Sequence, residues 1–303
     1  MSGRRAMQLA VFGVLLCASC SDGNGGGADA GVDGGLEPDG GEPDAVCNGH
    51  AELCSRRFDE VSFPMTHNAM SNAEAGWLLP NQRFGITRQL DDGVRGMMLD
   101  TYEEDGVLLL CHVYCSLGSQ PLVEGLDEIR AFLASNPEEV LSIIFENYIT
   151  HAQTAAAFEE SGLIDFVYAH PLGTPWPTLA NLVEADTRLV VFQEKLPQED
   201  EFPWLMNIWD HAWETPFSFP APEDFVCDPN RGNAGNPLFL LNHFLTSPFG
   251  GSLELAEMVN FNPLFIDRAK QCELEGNALP NFVAVDFYDV GDLFTVVDTL
   301  NGF

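Results

Sequence analysis

The chain has 303 residues, 46% apolar and 11% aromatic, enough to bury one large core or two small ones. Its 46 acidic residues against 13 basic ones leave a net charge of −33, and Lys195 and Lys270 are its only lysines. Such a surface repels nucleic acid and anionic bilayers, which excludes polyanion binding through a basic patch.

The N-terminus reads as an export signal. Arg4 and Arg5 precede an apolar run from Leu9 to Leu16, followed by Cys17-Ala18-Ser19-Cys20. A basic start, a short apolar stretch and small residues make a targeting segment too short to span a bilayer stably. Ala18-Ser19 before Cys20 resembles a bacterial lipoprotein cleavage box, with Cys17 where Leu is usual. Residues 1–20 are therefore expected to be a signal or lipoprotein segment that leaves Cys20 lipidated; ordinary signal cleavage nearby is the alternative. Residues 21–46 are Gly, Asp, Ala, Glu and Pro with almost nothing apolar, so ordering entropy goes unopposed and a disordered acidic linker is expected. The body, 47–303, is expected to be an exported monomer, tethered to a bacterial cell envelope and its membrane surface through the lipid, or secreted.

Within the body, continuous apolar runs recur at Val61–Met65, Val94–Leu99, Val107–Leu110, Val140–Phe145, Leu189–Phe192, Leu238–Leu241 and Phe282–Val285. None alternates, as expected for strands buried on both faces of a parallel sheet. Leu122, Leu126, Ile129, Phe132 and Leu133 fall at helical spacing before Asn136-Pro137, and Ala152–Glu160, Leu179–Ala185 and Leu253–Val259 suggest further helices. Strand and helix repeating in this way predict an α/β fold, a distorted TIM-like (β/α) barrel in a single domain, with one late strand poorly marked. A doubly wound fold would want a Gly-rich loop after its first strand, which Thr66-His67-Asn68-Ala69-Met70 is not. Six body cysteines in an exported chain suggest disulfides. Cys47 and Cys54 are close in sequence, as are Cys111 and Cys115, which leaves Cys227 and Cys272; connectivity is not deducible, and the spacings fit no zinc pattern well.

The chemistry gathers at the ends of these runs. His67 follows the first, His112 the third, Asp100 the second and Glu146 the fourth, and Asn68 adjoins His67. Two imidazoles at strand ends suit acid/base work. Asn68, Asp100 and Glu146 are oxygen donors suited to calcium or magnesium, with positions left for water and a substrate oxygen. The plain reading of Asp100 is a buried carboxylate paired with Arg95. His243, after Leu240-Leu241-Asn242, is the one other histidine expected near the same rim. A phosphate-ester substrate would meet few side-chain cations here, so a bound metal would have to supply the charge.

In order and spacing, Thr66-His67-Asn68, Gly93-Val94-Arg95 through Leu99-Asp100, His112 and Phe145-Glu146-Asn147 resemble the X region of phosphatidylinositol-specific phospholipases C. The plant and fungal phospholipase-C-like phosphodiesterases are most similar, sharing Cys111-His112 with a nearby cysteine, Asn136-Pro137-Glu138-Glu139-Val140 and Pro280 through Tyr288. The resemblance runs from roughly Cys54 to the C-terminus. It implies a TIM-like barrel with His67 and His112 catalytic, Asn68, Asp100 and Glu146 binding calcium (magnesium the alternative), and Arg95, Lys195, His243, Asp286 and Tyr288 at the substrate. It implies cleavage of a phospholipid or other phosphodiester to a cyclic phosphate and an alcohol. Metal-free bacterial relatives carry a basic residue at positions like Asp100 and Glu146, so the carboxylates favour a metal. Two departures stand out: Met98 replaces a metal-ligating glutamate, and the phosphate-gripping lysines have no clear match beyond Lys195. Alternatives are a glycerophosphodiester or sphingolipid phosphodiesterase, or a non-catalytic surface barrel that binds through Trp204, Trp209 and Trp213.

Overall fold

The computed structural model describes residues 46–197, 199–247 and 250–303; the signal segment and nearly all of the linker lie outside the described residues. Among the described residues ten strands form: β1 (Phe63–Thr66), β2 (Gly96–Glu104), β3 (Val107–Cys111), β4 (Ser119–Pro121), β5 (Leu141–Asn147), β6 (Leu189–Gln193), β7 (Leu205–Asn207), β8 (Ala212–Glu214), β9 (Leu238–Asn242) and β10 (Phe282–Val285). Eight of them pair in parallel in the order β7-β6-β5-β2-β1-β10-β9-β8, curling into the distorted TIM-like barrel expected. Among the described residues no ladder joins β7 to β8, so the barrel is incomplete there.

The runs lack alternation because both faces of each barrel strand are covered. Phe63, Met65, Ile144, Val190, Phe192, Leu238, Leu240, Phe282 and Ala284 share one buried cluster inside the barrel. Their neighbours Ile143, Phe145, Val191, Leu241, Val283 and Val285 pack outward with Leu126, Ile129 and Leu133 of the helix Leu122–Ser135 and Phe158 of the helix His151–Ser161. Gly96 has no side chain because the Met65 side chain fills the space a Cβ would take inside the barrel.

One strand departs from expectation. Val107–Leu110 is not a barrel strand: β2 overshoots the barrel, turns at Asp105-Gly106 and returns as β3, antiparallel, with Leu110 opposite Thr101. β3 in turn pairs with β4. Its early residues are partly exposed, which an isolated apolar run does not reveal. The helices Ile86–Asp91, Leu264–Gly276 and Leu293–Asn301 and the three-residue strands β4, β7 and β8 were not marked by the periodicity. Cys47–Cys54, Cys111–Cys115 and Cys227–Cys272 are all disulfides.

Candidate functional site at the barrel mouth

Side chains alternate along a strand, so the residue two positions beyond an inward apolar one stays on the inner face. Met65, Met98, Ile144, Phe192, Ala212, Leu240 and Ala284 belong to, or pack against, the interior cluster. Two residues on stand His67, Asp100, Glu146, Glu194, Glu214, Asn242 and Asp286. The apolar interior thus ends in a polar ring at the C-terminal mouth, where (β/α) barrels carry chemistry.

His67 is fixed from three sides. Its Nδ1–H donates to Asp286 Oδ1 at 2.9 Å, its Nε2 accepts from Asn68 Nδ2 at 3.1 Å, and its ring lies flat on Phe244 with centroids 4.0 Å apart. A carboxylate only accepts, so Asp286 sets this tautomer. Asp286 also accepts from Asn81 Nδ2 at 3.0 Å. Expected as a substrate contact, Asp286 instead orients His67.

His112 arrives by the returning β3, not by a barrel strand, and reaches the level of Asp100 because β2 overshoots. Its Nδ1–H donates to Asp100 Oδ2 at 2.9 Å, turning Nε2 away from the carboxylate. Burial pulls the imidazole pKa down, but the Asp100 bond and the fields of Asp100, Glu146 and Asp286 raise it above 6.5 overall. Burial and the Glu146 charge raise Asp100 as well. Asp100 therefore pairs with His112, not with Arg95. The Cys111–Cys115 bridge closes the loop that carries His112, and Val113 within it has a left-handed φ of 57°, which a β-branched residue adopts only under constraint. Removing the bridge in a Cys111→Ser/Cys115→Ser protein is expected to lower unfolding stability by about 2 kcal/mol, read by urea denaturation, and to slow any histidine-dependent turnover.

Glu146 sits beside Asp100 in register on β5. It accepts from Tyr148 Oη at 2.5 Å and lies 2.9 Å from Lys195 Nζ, which rests 4.0 Å over the Tyr148 ring. Burial opposes its charge, yet the Tyr148 and Lys195 bonds and the Arg231 field leave its pKa below the ordinary glutamate value. Lys195, expected at the substrate, is at this mouth.

Arg231 is a cation that sequence reading missed. It rises from the loop between β8 and β9, its Nε 2.5 Å from Glu214 Oε1 and its Nη1 2.6 Å from Glu194 Oε2. Trp209 and Phe217 flank the guanidinium at 4.3 and 4.7 Å. Burial lifts Glu194 to about 7 against an ordinary 4.5; Arg231 opposes the lift, while Glu146, Glu214 and Asp100 add to it. The folded protein holds this proton to about pH 7, whereas the unfolded chain releases it near 4.5, so Glu194 erodes stability as pH rises across that window. The Glu194→Gln protein is expected to lose that decline and to be more stable at pH 8 by roughly 3 kcal/mol, measured by denaturation at stepped pH.

Three expected contacts lie elsewhere. Arg95 precedes β2 at the opposite end of the barrel, its Nε on Glu139 at 2.6 Å and its Nη1 on the Leu90 and Val94 carbonyls. His243 points outward: its Nε2 donates to the Val259 carbonyl, its Nδ1 accepts from Arg268, and its ring stacks on Phe265 at 3.8 Å. Burial and the Arg268 charge hold it neutral, so it does not line the rim. Tyr288 is buried, its hydroxyl donating to Asp92 Oδ2 at 2.7 Å. The tryptophans form no open face: Trp204 and Trp213 are core, and Trp209 donates to the Glu194 carbonyl.

His67, His112 and Glu146 line one cleft. The PI-PLC X family model matches residues 53–301. The chain belongs to the PI-PLC X domain family. A PI-PLC X domain-containing protein of Arabidopsis thaliana is 35% identical over 81% of this chain and 62% of its own. PI-PLC X domain-containing protein 1 of Arthroderma benhamiae is 31% identical over 86% of this chain and 90% of its own. An uncharacterized secreted protein of the same fungus is 29% identical over 84% and 64%. The chain thus spans somewhat under two thirds of two of these relatives. A phosphatidylinositol-specific phospholipase C of Staphylococcus aureus shares the fold, with a TM-score of 0.55 at 14% identity over 82% of this chain and 94% of that one.

Proposed function

We propose that this protein cleaves a phosphodiester of the phospholipid type by acid/base catalysis between His67 and His112. One observation carries the reading: two imidazoles, each anchored through Nδ1 by its own carboxylate, open into a single cleft. Once a substrate hydroxyl next to the phosphate displaces the Asn68 Nδ2–H that His67 Nε2 accepts from, Nε2 takes the proton of that hydroxyl as its oxygen bonds to phosphorus. The bond from phosphorus to the leaving oxygen breaks, and His112 Nε2–H gives that oxygen its proton. The products are a cyclic phosphate and an alcohol.

The residues fit a hard divalent cation. Asn68 carries an amide oxygen, Oδ1, that is not the atom bonded to His67; Asp100 and Glu146 are register partners, and the Glu146 charge raises the Asp100 pKa, a repulsion a cation relieves. Among the described residues no three of His, Cys, Asp and Glu form such a site alone, so the amide oxygen and water or substrate must complete it. Calcium, or magnesium, held there would neutralise phosphoryl oxygens and acidify the attacking hydroxyl. A second reading rests on Lys195 already sitting 2.9 Å from Glu146: the lysine supplies the charge and no metal is needed.

Export is supported by three disulfides and by the relative described as secreted. Among the described residues no helix is long and apolar enough to cross a membrane. The test is turnover of phosphatidylinositol, glycerophosphoinositol and sphingomyelin with calcium, magnesium or a chelator. Cleavage of phosphatidylinositol first is expected; cleavage of one of the others alone redirects the head group, and cleavage of none overturns the reading.

A further inference from the structure

The mouth has two unlike sides. Glu194, Glu214, Lys195 and Arg231 charge one of them. The other is a cleft of about 430 Å³ that opens onto His67 and His112 and, among the described residues, has no lysine or arginine in its walls. Its walls are chiefly apolar, with Trp77, Leu78, Val113, Tyr114, Phe244 and Leu245 among them. Leu78, Val113 and Tyr114 stay 62%, 53% and 66% exposed, keeping their apolar surface at the cleft edge although folding it away would be favourable.

The walls are locked to one another. The Leu78 N–H donates to the Leu117 carbonyl at 2.8 Å, and the Trp77 ring lies where a Cβ on Gly118 would stand. Next to Leu78, Gly250 and Gly251 approach the Leu79 and Pro80 carbonyls too closely for any side chain. Such a wall is formed in advance of any ligand. The cleft meets both imidazoles, but its exposed edge, Val113 and Tyr114, directly follows His112, the proton donor proposed for the leaving oxygen, and this edge is where the leaving alcohol would extend. The size of the cleft is near the lower end of small-molecule sites, room for one chain or ring system rather than a pair of acyl chains.

We propose that this cleft binds the apolar alcohol portion of a single-chain phosphodiester taken from solution, an inference that rests on the phosphodiesterase reading for the role of its ligand. The test uses methyl, butyl and octyl esters of inositol phosphate, each below its micelle concentration, with calorimetric binding of methyl- and octylphosphonate in parallel. Octylphosphonate is expected to bind at least about ten-fold tighter than methylphosphonate, and kcat/KM to rise by a similar factor from methyl to octyl. Leu78→Asp and Tyr114→Ser, both at exposed positions, are expected to reduce that chain-length ratio to below about three-fold. Turnover with no chain-length dependence in rate or binding overturns the cleft assignment and leaves the phosphodiesterase reading standing. A rate increase that appears only with phosphatidylcholine vesicles also overturns it, by making the apolar edge a lipid-surface contact. Tight octyl binding without turnover of any ester retains the cleft as an apolar-ligand site and overturns the phosphodiesterase reading and the leaving-group role.

Discussion

His67→Ala and His112→Ala are each expected to lower phosphodiester turnover by about 10²- to 10⁴-fold, with both proteins still folded. The fold tolerates both changes because neither ring is core. His67 is partly exposed, and Asp286 keeps its bond from Asn81. His112 lies on the disulfide-closed loop, and the Asp100 it leaves behind already holds a proton more readily than an ordinary carboxylate. The two losses separate by leaving group. A nitrophenolate leaves without protonation, so with a nitrophenyl ester the His112→Ala defect should shrink by at least about ten-fold, while the His67→Ala defect persists. Steady-state rates with an alkyl and a nitrophenyl ester of the same phosphate check this. Equal defects on both substrates would contradict the division of roles.

A chelator is expected to reduce turnover by at least about 100-fold, with calcium restoring it. Asp100→Asn should cost more than chelation alone, because the same carboxylate orients His112 through the 2.9 Å bond to Nδ1. Its amide can present N–H where His112 needs an acceptor, so the imidazole loses its tautomer as well as its field. Calorimetry on the two proteins separates these effects: calcium binding should be lost in Asp100→Asn and retained in His112→Ala. If the chelator has no effect, Lys195→Ala should abolish turnover instead, since Lys195 is the cation held against Glu146.

Much of this site was legible from strand parity and direction. The apolar runs gave six of the eight barrel strands and, at their downstream ends, His67, Asp100 and Glu146. The same rule, applied more strictly, would have removed two wrong candidates. Arg95 precedes its strand, so it belongs at the far end, and His243 follows the inward Asn242, so it faces the helix Leu264–Gly276. His112 reaches the mouth by a route its apolar run does not reveal: the run is antiparallel, and only the overshoot of β2 brings it back to Asp100. β7 and β8 have three residues each, too few for any periodicity, which hid Glu214. Arg231 stands in a loop whose sequence carries no local mark; only the two carboxylates at its guanidinium reveal it.

The most direct test of the paired imidazoles is a phosphorus NMR time course on phosphatidylinositol with the purified full chain, beside the His112→Ala protein. The expected record shows a cyclic phosphate growing in as the diester disappears, at a rate strongly reduced in the variant. A diester that persists, or one that vanishes equally fast without His112, would contradict it.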